Sequence, residues 1–96
     1  MTADHVWVFK AERATFPCGV FTGFRTADAW IAKHRLTGVL TQYPLNEGVY
    51  DWATANGLFR HTKPPTPEFV GAFTSHYQKH YHYESGATRG TDQDLG

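Results

Sequence analysis

The chain has 96 residues, of which 41% are hydrophobic and 16% aromatic. This is enough for one domain with a single hydrophobic core and too apolar for a disordered chain. Nine basic and nine acidic side chains give a net charge of zero, which argues against nucleic acid or an anionic membrane as the main partner. The sequence has no run of about 18 apolar residues and no signal-peptide pattern, so we expect a cytoplasmic protein without a membrane span.

The N-terminal third predicts two strands and a helix. His5–Lys10 alternates with apolar residues on both faces, which indicates a central strand of a sheet or a strand whose second face meets another layer. Val20–Phe24 follows closely enough to form an antiparallel hairpin with it. Thr26 is then the expected N-cap of a helix that ends at Leu36, with basic side chains in its last turn.

The middle of the chain predicts a strand over 38–43 and a helix over 47–56. Asn46 is the expected N-cap of that helix, because its side-chain oxygen can accept from the free amides of the first turn. Gly57 supplies the left-handed exit of the helix. Leu58–Thr62 has the composition of a further short strand.

The C-terminal third predicts one helix, one strand and a tail. Thr66 is the expected N-cap and Pro67 the first residue of a helix that fades near Ser75. Gln78–Glu84 alternates strictly and predicts the last strand. Residues 86–96 are polar and are expected to form a flexible tail, so the domain covers residues 1–85.

These elements follow the order β-β-α-β-α-β-α-β. The order predicts a single α+β domain with a small mixed or antiparallel sheet of about five strands and helices packed on it. A domain of this size is also small enough to benefit from a partner subunit.

Two histidines are the first candidates for chemistry. His80 and His82 are two residues apart in a predicted strand, so both side chains point to one face, about 6.5–7 Å apart at Cα. Such a pair can share a divalent metal ion, with His76, Glu84 or His61 to complete the site. The sequence fixes no third ligand and no cofactor, and surface or half-buried histidines facing aromatic neighbours are the simpler interpretation of the pair.

Aromatic side chains give the same strand a second character. Tyr77, Tyr81 and Tyr83 are expected on the face opposite the histidines. Packing in the core, with the hydroxyl reaching water or a carbonyl, is the first interpretation. Tyrosines are also common where one protein surface meets another, so an interface with a second copy or another protein partner, or a shallow aromatic pocket, is the alternative.

A second group of candidates lies on the helix over 47–56. Tyr50, Asp51 and Trp52 follow one another, with Trp52 expected inward and Asp51 at the rim, close to Arg60 or other basic residues. Asp51 is interpreted as a surface ion pair or, less simply, as a general base in a cleft. Cys18 has no histidine fixed beside it and is expected to be a small buried thiol.

Longer motifs resemble those of a family of short bacterial proteins of unknown function. The similarity covers about residues 5–85 and is carried by FPCGVF, YPLNEGVYDWA and HYHYE, which are residues Phe16–Phe21, Tyr43–Ala53 and His80–Glu84. The resemblance implies a stand-alone bacterial domain, of the kind carried on mobile gene cassettes such as those of integrons. It implies no activity and therefore no catalytic residue.

Two functions follow from these observations. The first is a small cytoplasmic binding or interaction module, a homodimer that associates through an aromatic and histidine-rich surface. The alternative is a metal-dependent or small-molecule-binding enzyme that uses His80 and His82, although the sequence has no P-loop, nucleophile elbow, C-x-x-C or H-E-x-x-H motif.

Overall fold

A five-stranded sheet is the framework on which the helices are arranged. The computed structural model describes residues 4–60, 64–75 and 77–89. The elements in chain order are β1 (His5–Ala11), β2 (Gly19–Phe21), α1 (Phe24–His34), β3 (Gly38–Pro44), α2 (Val49–Ala55), α3 (Pro67–Ala72), β4 (His80–Glu84) and β5 (Ala87–Thr88). The α+β class and the sheet of five strands are confirmed, and the order of elements matches except between α2 and α3 and after β4.

The strands lie in the order β2-β1-β3-β4-β5, and every neighbouring pair is antiparallel. The longest pairing joins β1 to β3, from His5 opposite Pro44 to Ala11 opposite Gly38. The position of β1 between β2 and β3 confirms the central strand that its two apolar faces predict. Because side chains alternate along each strand, this register also assigns every strand residue to one of two sheet faces.

One sheet face carries the core. Trp7 and Phe9 of β1, Leu40 of β3 and Tyr83 of β4 pack with Ala27 and Ile31 of α1, and all six are buried. Phe9, Leu40 and Ile31 have no solvent exposure. Full burial of an apolar side chain of this size stabilises the fold by about 1.5–3 kcal/mol, so this face holds α1 against the sheet.

The register also requires a residue without a side chain at the start of β3. A methyl group at Gly38 would lie 2.7 Å from Cα of Ala11 and 2.8 Å from Cζ of Phe9, closer than such atoms approach in proteins. Glycine at position 38 therefore leaves the space that the β1 backbone and the Phe9 ring occupy.

Helix α1 begins earlier than its sequence predicts. Its N-cap is Gly23 rather than Thr26, and β2 ends at Phe21 rather than Phe24. The ring of Phe24 packs against Tyr81, with 4.9 Å between ring centroids, and against Trp7 at 5.4 Å. Phe24 therefore lies in the first turn of α1, where its ring packs against the core, and not at the end of β2.

Helix α2 begins later than its sequence predicts. Its N-cap is Gly48, and the expected cap Asn46 has a φ of 64° in the preceding turn. Asparagine tolerates this left-handed conformation better than most residues. Asn46 is therefore a turn residue and not the N-cap. Gly57 follows α2 with a φ of 71°, which confirms the predicted left-handed exit.

The short strand predicted over Leu58–Thr62 is wrong in its described part. The Leu58 amide donates to the Ala53 carbonyl at 2.8 Å and closes the C-terminus of α2, and the next two residues have no regular structure. Thr62 lies outside the described residues. The Phe59 ring contacts Tyr50 and Phe73, so packing rather than strand pairing accounts for the apolar composition.

Helix α3 confirms its predicted start. The hydroxyl of Thr66 accepts from the amide of Phe69 at 3.1 Å, with Pro67 as the first helical residue. The helix ends at Ala72, one turn before the expected end near Ser75. Among the helices of the described chain, none is long and apolar enough to cross a membrane.

The chain after β4 is more regular than predicted. Ser85 and Gly86 have φ values of 50° and 92°, and β5 then pairs with Tyr83 and Glu84. Two residues with positive φ form the tight turn typical of a hairpin. The first residues of the expected tail therefore extend the sheet, and residues 90–96 lie outside the described chain.

Candidate functional site

The sheet face opposite the core is lined by half-buried and exposed side chains. We call it the open face and define it by the ten positions of β1–β4 that the register assigns to it: Val6, Val8, Lys10, Val20, Val39, Thr41, Tyr43, His80, His82 and Glu84. All ten are half-buried or exposed, whereas the six core residues on or against the other face are buried. The open face is therefore the first place to look for function.

The open face is divided into an apolar part and a polar part. Val20, Val8, Thr41 and His80 form one row across β2, β1, β3 and β4, because each is paired with the next. The valines dominate the β2 and β1 side, and Val20 is 65% exposed. The row therefore runs from an exposed apolar edge to a polar side chain.

The next row contains the charged part of the face. Lys10, Val39 and His82 are paired across β1, β3 and β4. Glu84 lies two residues beyond His82 on the same side of β4. When the histidines are neutral, the charges of Lys10 and Glu84 cancel, so the open face has no net charge.

The two predicted histidines lie together on this face. The ring centroids of His80 and His82 are 5.4 Å apart and the rings are nearly perpendicular. Nδ1 of His80 lies 3.0 Å from the carbonyl oxygen of Gln78 and donates to it, which leaves Nε2 as the acceptor of the neutral ring. The two histidines can accept hydrogen bonds from a partner, and Nε2 of His80 can bind a metal ion.

The third ligand that a shared metal ion requires is not supplied by the described residues. Within 4–60, 64–75 and 77–89, no three His, Cys, Asp or Glu side chains are grouped so that they could hold a metal ion. His61 and His76, two of the expected third ligands, lie outside these ranges. Metal binding by His80 and His82 stays a prediction.

A polar cleft continues the open face at its charged end. It has a volume of about 470 Å³ and lies where the end of β4 and the β4–β5 turn meet the start of β3 and the residue after β1. Its lining includes the acidic side chains of Glu12 and Glu84, the basic side chain of Arg89, and His82. The cleft is within the usual size range of small-molecule sites, but its lining is polar rather than apolar.

Backbone hydrogen bonds fix the wall of this cleft. The amide of Arg89 donates to the carbonyl of His82 at 2.9 Å, and the Ser85 amide donates to the Thr37 hydroxyl at 3.0 Å. The Gly86 amide donates to the carbonyl of Leu36 at 2.9 Å. The hairpin of β4 and β5 is thereby tied to the segment between α1 and β3. A serine–glycine pair after a strand is a hairpin signal that could have predicted this wall from the sequence.

The tyrosines of β4 lie on the core face, opposite the histidines, as alternation predicts. Tyr81 contacts Trp7 and Phe24, at 5.9 Å and 4.9 Å between ring centroids. Tyr83 contacts Phe9 at 6.2 Å, and only 1% of its surface is exposed. Tyr77 precedes β4 and is 55% exposed.

Tyr83 also makes a polar contact between the sheet and α1. Its hydroxyl donates to Oδ1 of Asp28 at 2.8 Å, across from β4 to α1. Burial raises the pKa of the Tyr83 hydroxyl well above its ordinary value, and the hydrogen bond and negative charge of Asp28 add to that rise. The structure gives Tyr83 a stabilising role inside the protein.

The candidates on α2 are separated from the open-face residues. Tyr50 is buried and contacts Phe69 and Phe73, which with Phe59 form an aromatic cluster between α2 and α3. Asp51 is exposed, and the only contact at ion-pair distance among the described residues joins His5 to Asp4. Trp52 is half-buried and lines a second, smaller cleft.

Cys18 differs from its expected environment. It precedes the edge strand β2 and is exposed rather than buried. Its amide donates to the carbonyl of Phe9 at 2.9 Å, so the pairing of β2 with β1 determines its position.

Comparison with family models gives a match over most of the chain. A family model described as a domain of unknown function, DUF7710, matches residues 6–89. No curated protein and no solved structure matches the chain significantly. The matched range contains all ten positions of the open face.

Proposed function

Because the chain belongs to the DUF7710 family of domains of unknown function, we propose its function from its own surface: it is a small interaction module that self-associates through the open face. The occupant of the open face is a second copy of the same chain. The sequence predicts an aromatic and histidine-rich interaction surface. In this proposal the second copy binds the sheet face that carries His80 and His82, not the face on which Tyr83 is buried.

The proposal rests on the valines of the open face, where none of the ten residues is buried. Val20 is 65% exposed, and Val8 lies beside it in the register. Val6 and Val39 extend the apolar area on β1 and β3. Contiguous apolar surface of this kind commonly marks a place where another protein binds.

The charges of the open face support a second copy as the partner. Lys10 and Glu84 lie near the same end of the face, on opposite sides of β3. A two-fold axis along β3 exchanges these two sides, so Lys10 of one copy comes within side-chain reach of Glu84 of the other. The balance of charge also means that two such faces do not repel one another.

The size of the open face is typical of weak, transient interfaces. The strand spacing and residue rise give the sheet a flat footprint on the order of 400 Å², and its side chains present more surface than that. Two copies would bury roughly 1,000 Å² in total, the lower end for specific interfaces. We therefore expect a reversible dimer with a dissociation constant of about 10–100 µM.

The test compares matched valine-to-lysine substitutions by sedimentation equilibrium. Val39→Lys introduces a charge at the centre of the open face beside Lys10, and we expect at least about a tenfold weaker association. Val70→Lys on α3, where Val70 is 38% exposed and outside the open face, is the control and should associate like the wild type. If Val39→Lys does not fold, Val20→Lys at the exposed edge replaces it. Equal association of both variants and the wild type would refute the proposal.

The enzyme alternative is tested separately. Untagged protein that retains close to one equivalent of zinc, nickel or manganese through His80 and His82 would support a metal-dependent function. Loss of that metal in a His80→Ala and His82→Ala variant would assign the ligands. Metal below about a tenth of an equivalent, with no thermal shift on adding these ions, would leave the alternative without support.

A bacterial origin on a mobile gene cassette and a cytoplasmic location are part of the same proposal. The origin rests on the motif resemblance, and the location rests on the single cysteine, Cys18, which is typical of a reducing compartment.

A further inference from the structure

A second cleft lies apart from the open face, where the start of β1 and the end of β3 meet α2. It has a volume of about 250 Å³, and Trp52 of α2 forms part of its wall. None of its lining residues belongs to the ten positions of the open face. Self-association through the open face therefore leaves this cleft accessible.

The charge of the cleft is negative. Asp4 and Glu47 both line it, and no lysine or arginine does. His5 also lines it and has its Nδ1 2.7 Å from Oδ1 of Asp4, which is the only contact at ion-pair distance among the described residues and is an ion pair only when His5 is protonated. Glu47 thus has no cationic partner in the described chain, in a protein whose overall charge is zero.

The indole ring adds a second means of binding a cation. Trp52 is half-buried, and its amide donates to the Gly48 carbonyl at 2.9 Å, in the first turn of α2. The face of an indole ring attracts organic cations more strongly than other aromatic side chains do. An aromatic wall beside two carboxylates is the combination that binds ammonium groups.

A buried amide holds the opposite wall in place. Gln78 lines the cleft and is only 4% exposed. Its Oε1 accepts from the Ser75 amide at 3.1 Å, and its Nε2 donates to the Gln42 carbonyl at 3.1 Å. Since each end of this side chain is bonded, the wall is fixed before any ligand arrives, which lowers the cost of binding.

We propose that this cleft binds a small organic cation, an ammonium or methylated ammonium group, through Trp52 and the carboxylates of Asp4 and Glu47. The cation lies against the indole face and offsets the negative charge of the cleft. Gln78 supplies the rigid wall and does not contact the charge directly.

The experiment follows the amide and indole signals of the protein by NMR during titration with choline. The neutral probe is 3,3-dimethylbutan-1-ol, which has the same shape without the charge. We expect choline to shift the indole N–H signal of Trp52 and the amide signals of Gln42 and Glu47, and the neutral probe to leave them unchanged. Nα-acetyl-lysine methylamide is a third probe, which distinguishes a lysine side chain from a free cation as the source of the ammonium group.

Variants separate the ring from the carboxylate. Trp52→Leu keeps the apolar volume and should weaken choline binding about 5- to 30-fold, whereas Trp52→Phe keeps a ring and should restore part of it. Glu47→Gln should weaken binding about 2- to 5-fold. Asp51→Asn, at the neighbouring exposed residue outside the cleft, is the control and should bind choline like the wild type.

Three results would overturn the proposal: equal binding of choline and its neutral analogue, unchanged binding in Trp52→Leu, or no shift with any of the three probes. The monomeric Val39→Lys variant should bind choline as tightly as the wild type, so the outcome is independent of self-association.

Discussion

The hydrogen bond between Tyr83 and Asp28 is the clearest polar contribution to the stability of the core. The substitution Tyr83→Phe removes the hydroxyl and keeps the ring in its contact with Phe9. The carboxylate of Asp28, which accepts that hydroxyl at 2.8 Å and is half-buried on α1, then loses a donor. The substitution isolates one hydrogen bond in an otherwise unchanged core.

The magnitude follows from the burial of the two partners. A hydrogen bond to a charged group contributes about 1.5–3 kcal/mol, but water can reach the half-buried Asp28 and replace part of the lost bond. We therefore expect Tyr83→Phe to lower the free energy of unfolding at pH 7 by about 1–2 kcal/mol. Tyr43→Phe, at a half-buried position of the open face, is the control and should change it by less than about 0.5 kcal/mol.

The pH dependence gives the same bond a second signature. The pKa of Tyr83 is raised in the folded protein, chiefly by burial, from an ordinary value of 10.0. The stabilisation from neutral Tyr83 is then fully present below about pH 10 and decreases above it, because the unfolded chain ionises first. The free energy of unfolding of the wild type should fall by up to about 1.4 kcal/mol per pH unit from this residue, and Tyr83→Phe should lack that component.

Urea unfolding followed by tryptophan fluorescence at about pH 7 and pH 11 measures both effects, at a protein concentration low enough to keep the chain monomeric. The difference between wild type and Tyr83→Phe should be smaller at the higher pH. A difference that is unchanged or larger at pH 11 would refute this account of Tyr83, as would a loss at pH 7 no greater than that of Tyr43→Phe.

Three further predictions concern packing and association. Gly38→Ala should lower the free energy of unfolding by about 1–3 kcal/mol because its methyl group meets the β1 backbone, whereas Gly71→Ala in α3, with open space around it, should raise it by up to about 1 kcal/mol; equal urea midpoints would contradict this. Leu40→Ala should cost about 2–5 kcal/mol in the same assay, and a cost below about 1 kcal/mol would mean that the core collapses around the site. Self-association should be at least about threefold weaker at pH 5.5 than at pH 8, because protonated His80 and His82 add positive charge beside Lys10; equal dimer constants by sedimentation equilibrium would mean that these histidines are not at the contact.

Much of the sheet follows from local sequence. The alternation in His5–Lys10 and Gln78–Glu84 predicts most of β1 and all of β4, which begins two residues later than expected, and Thr66 with Pro67 predicts the start of α3. These signals depend only on neighbours along the chain, so tertiary contacts do not change them.

The errors arise where distant contacts decide between two local options. Phe24 favours a strand by composition. In the structure it lies in the first turn of α1, where its ring packs against Trp7 and Tyr81. Asn46 suits an N-cap and also a left-handed turn residue, and the structure uses the second. Phe59 contributes to an aromatic cluster with rings of α2 and α3, which the sequence alone does not bring together.

The candidate site divides in the same way. Alternation predicts that His80 and His82 share a face, but not that four valines of three other strands lie beside them. Trp52 is identifiable as a candidate from α2 alone, whereas the acidic cleft also needs Asp4, Gln78 and the end of β3. The register of the sheet is the information that the sequence lacks.

Sedimentation velocity of the untagged wild-type protein over a range of about 10 µM to 1 mM tests the central claim most directly. Self-association through the open face predicts that the average mass rises with concentration from that of the 10.8 kDa chain towards twice that value, in the concentration range of a weak interface. A mass that stays at 10.8 kDa throughout would contradict the claim that a second copy binds the open face.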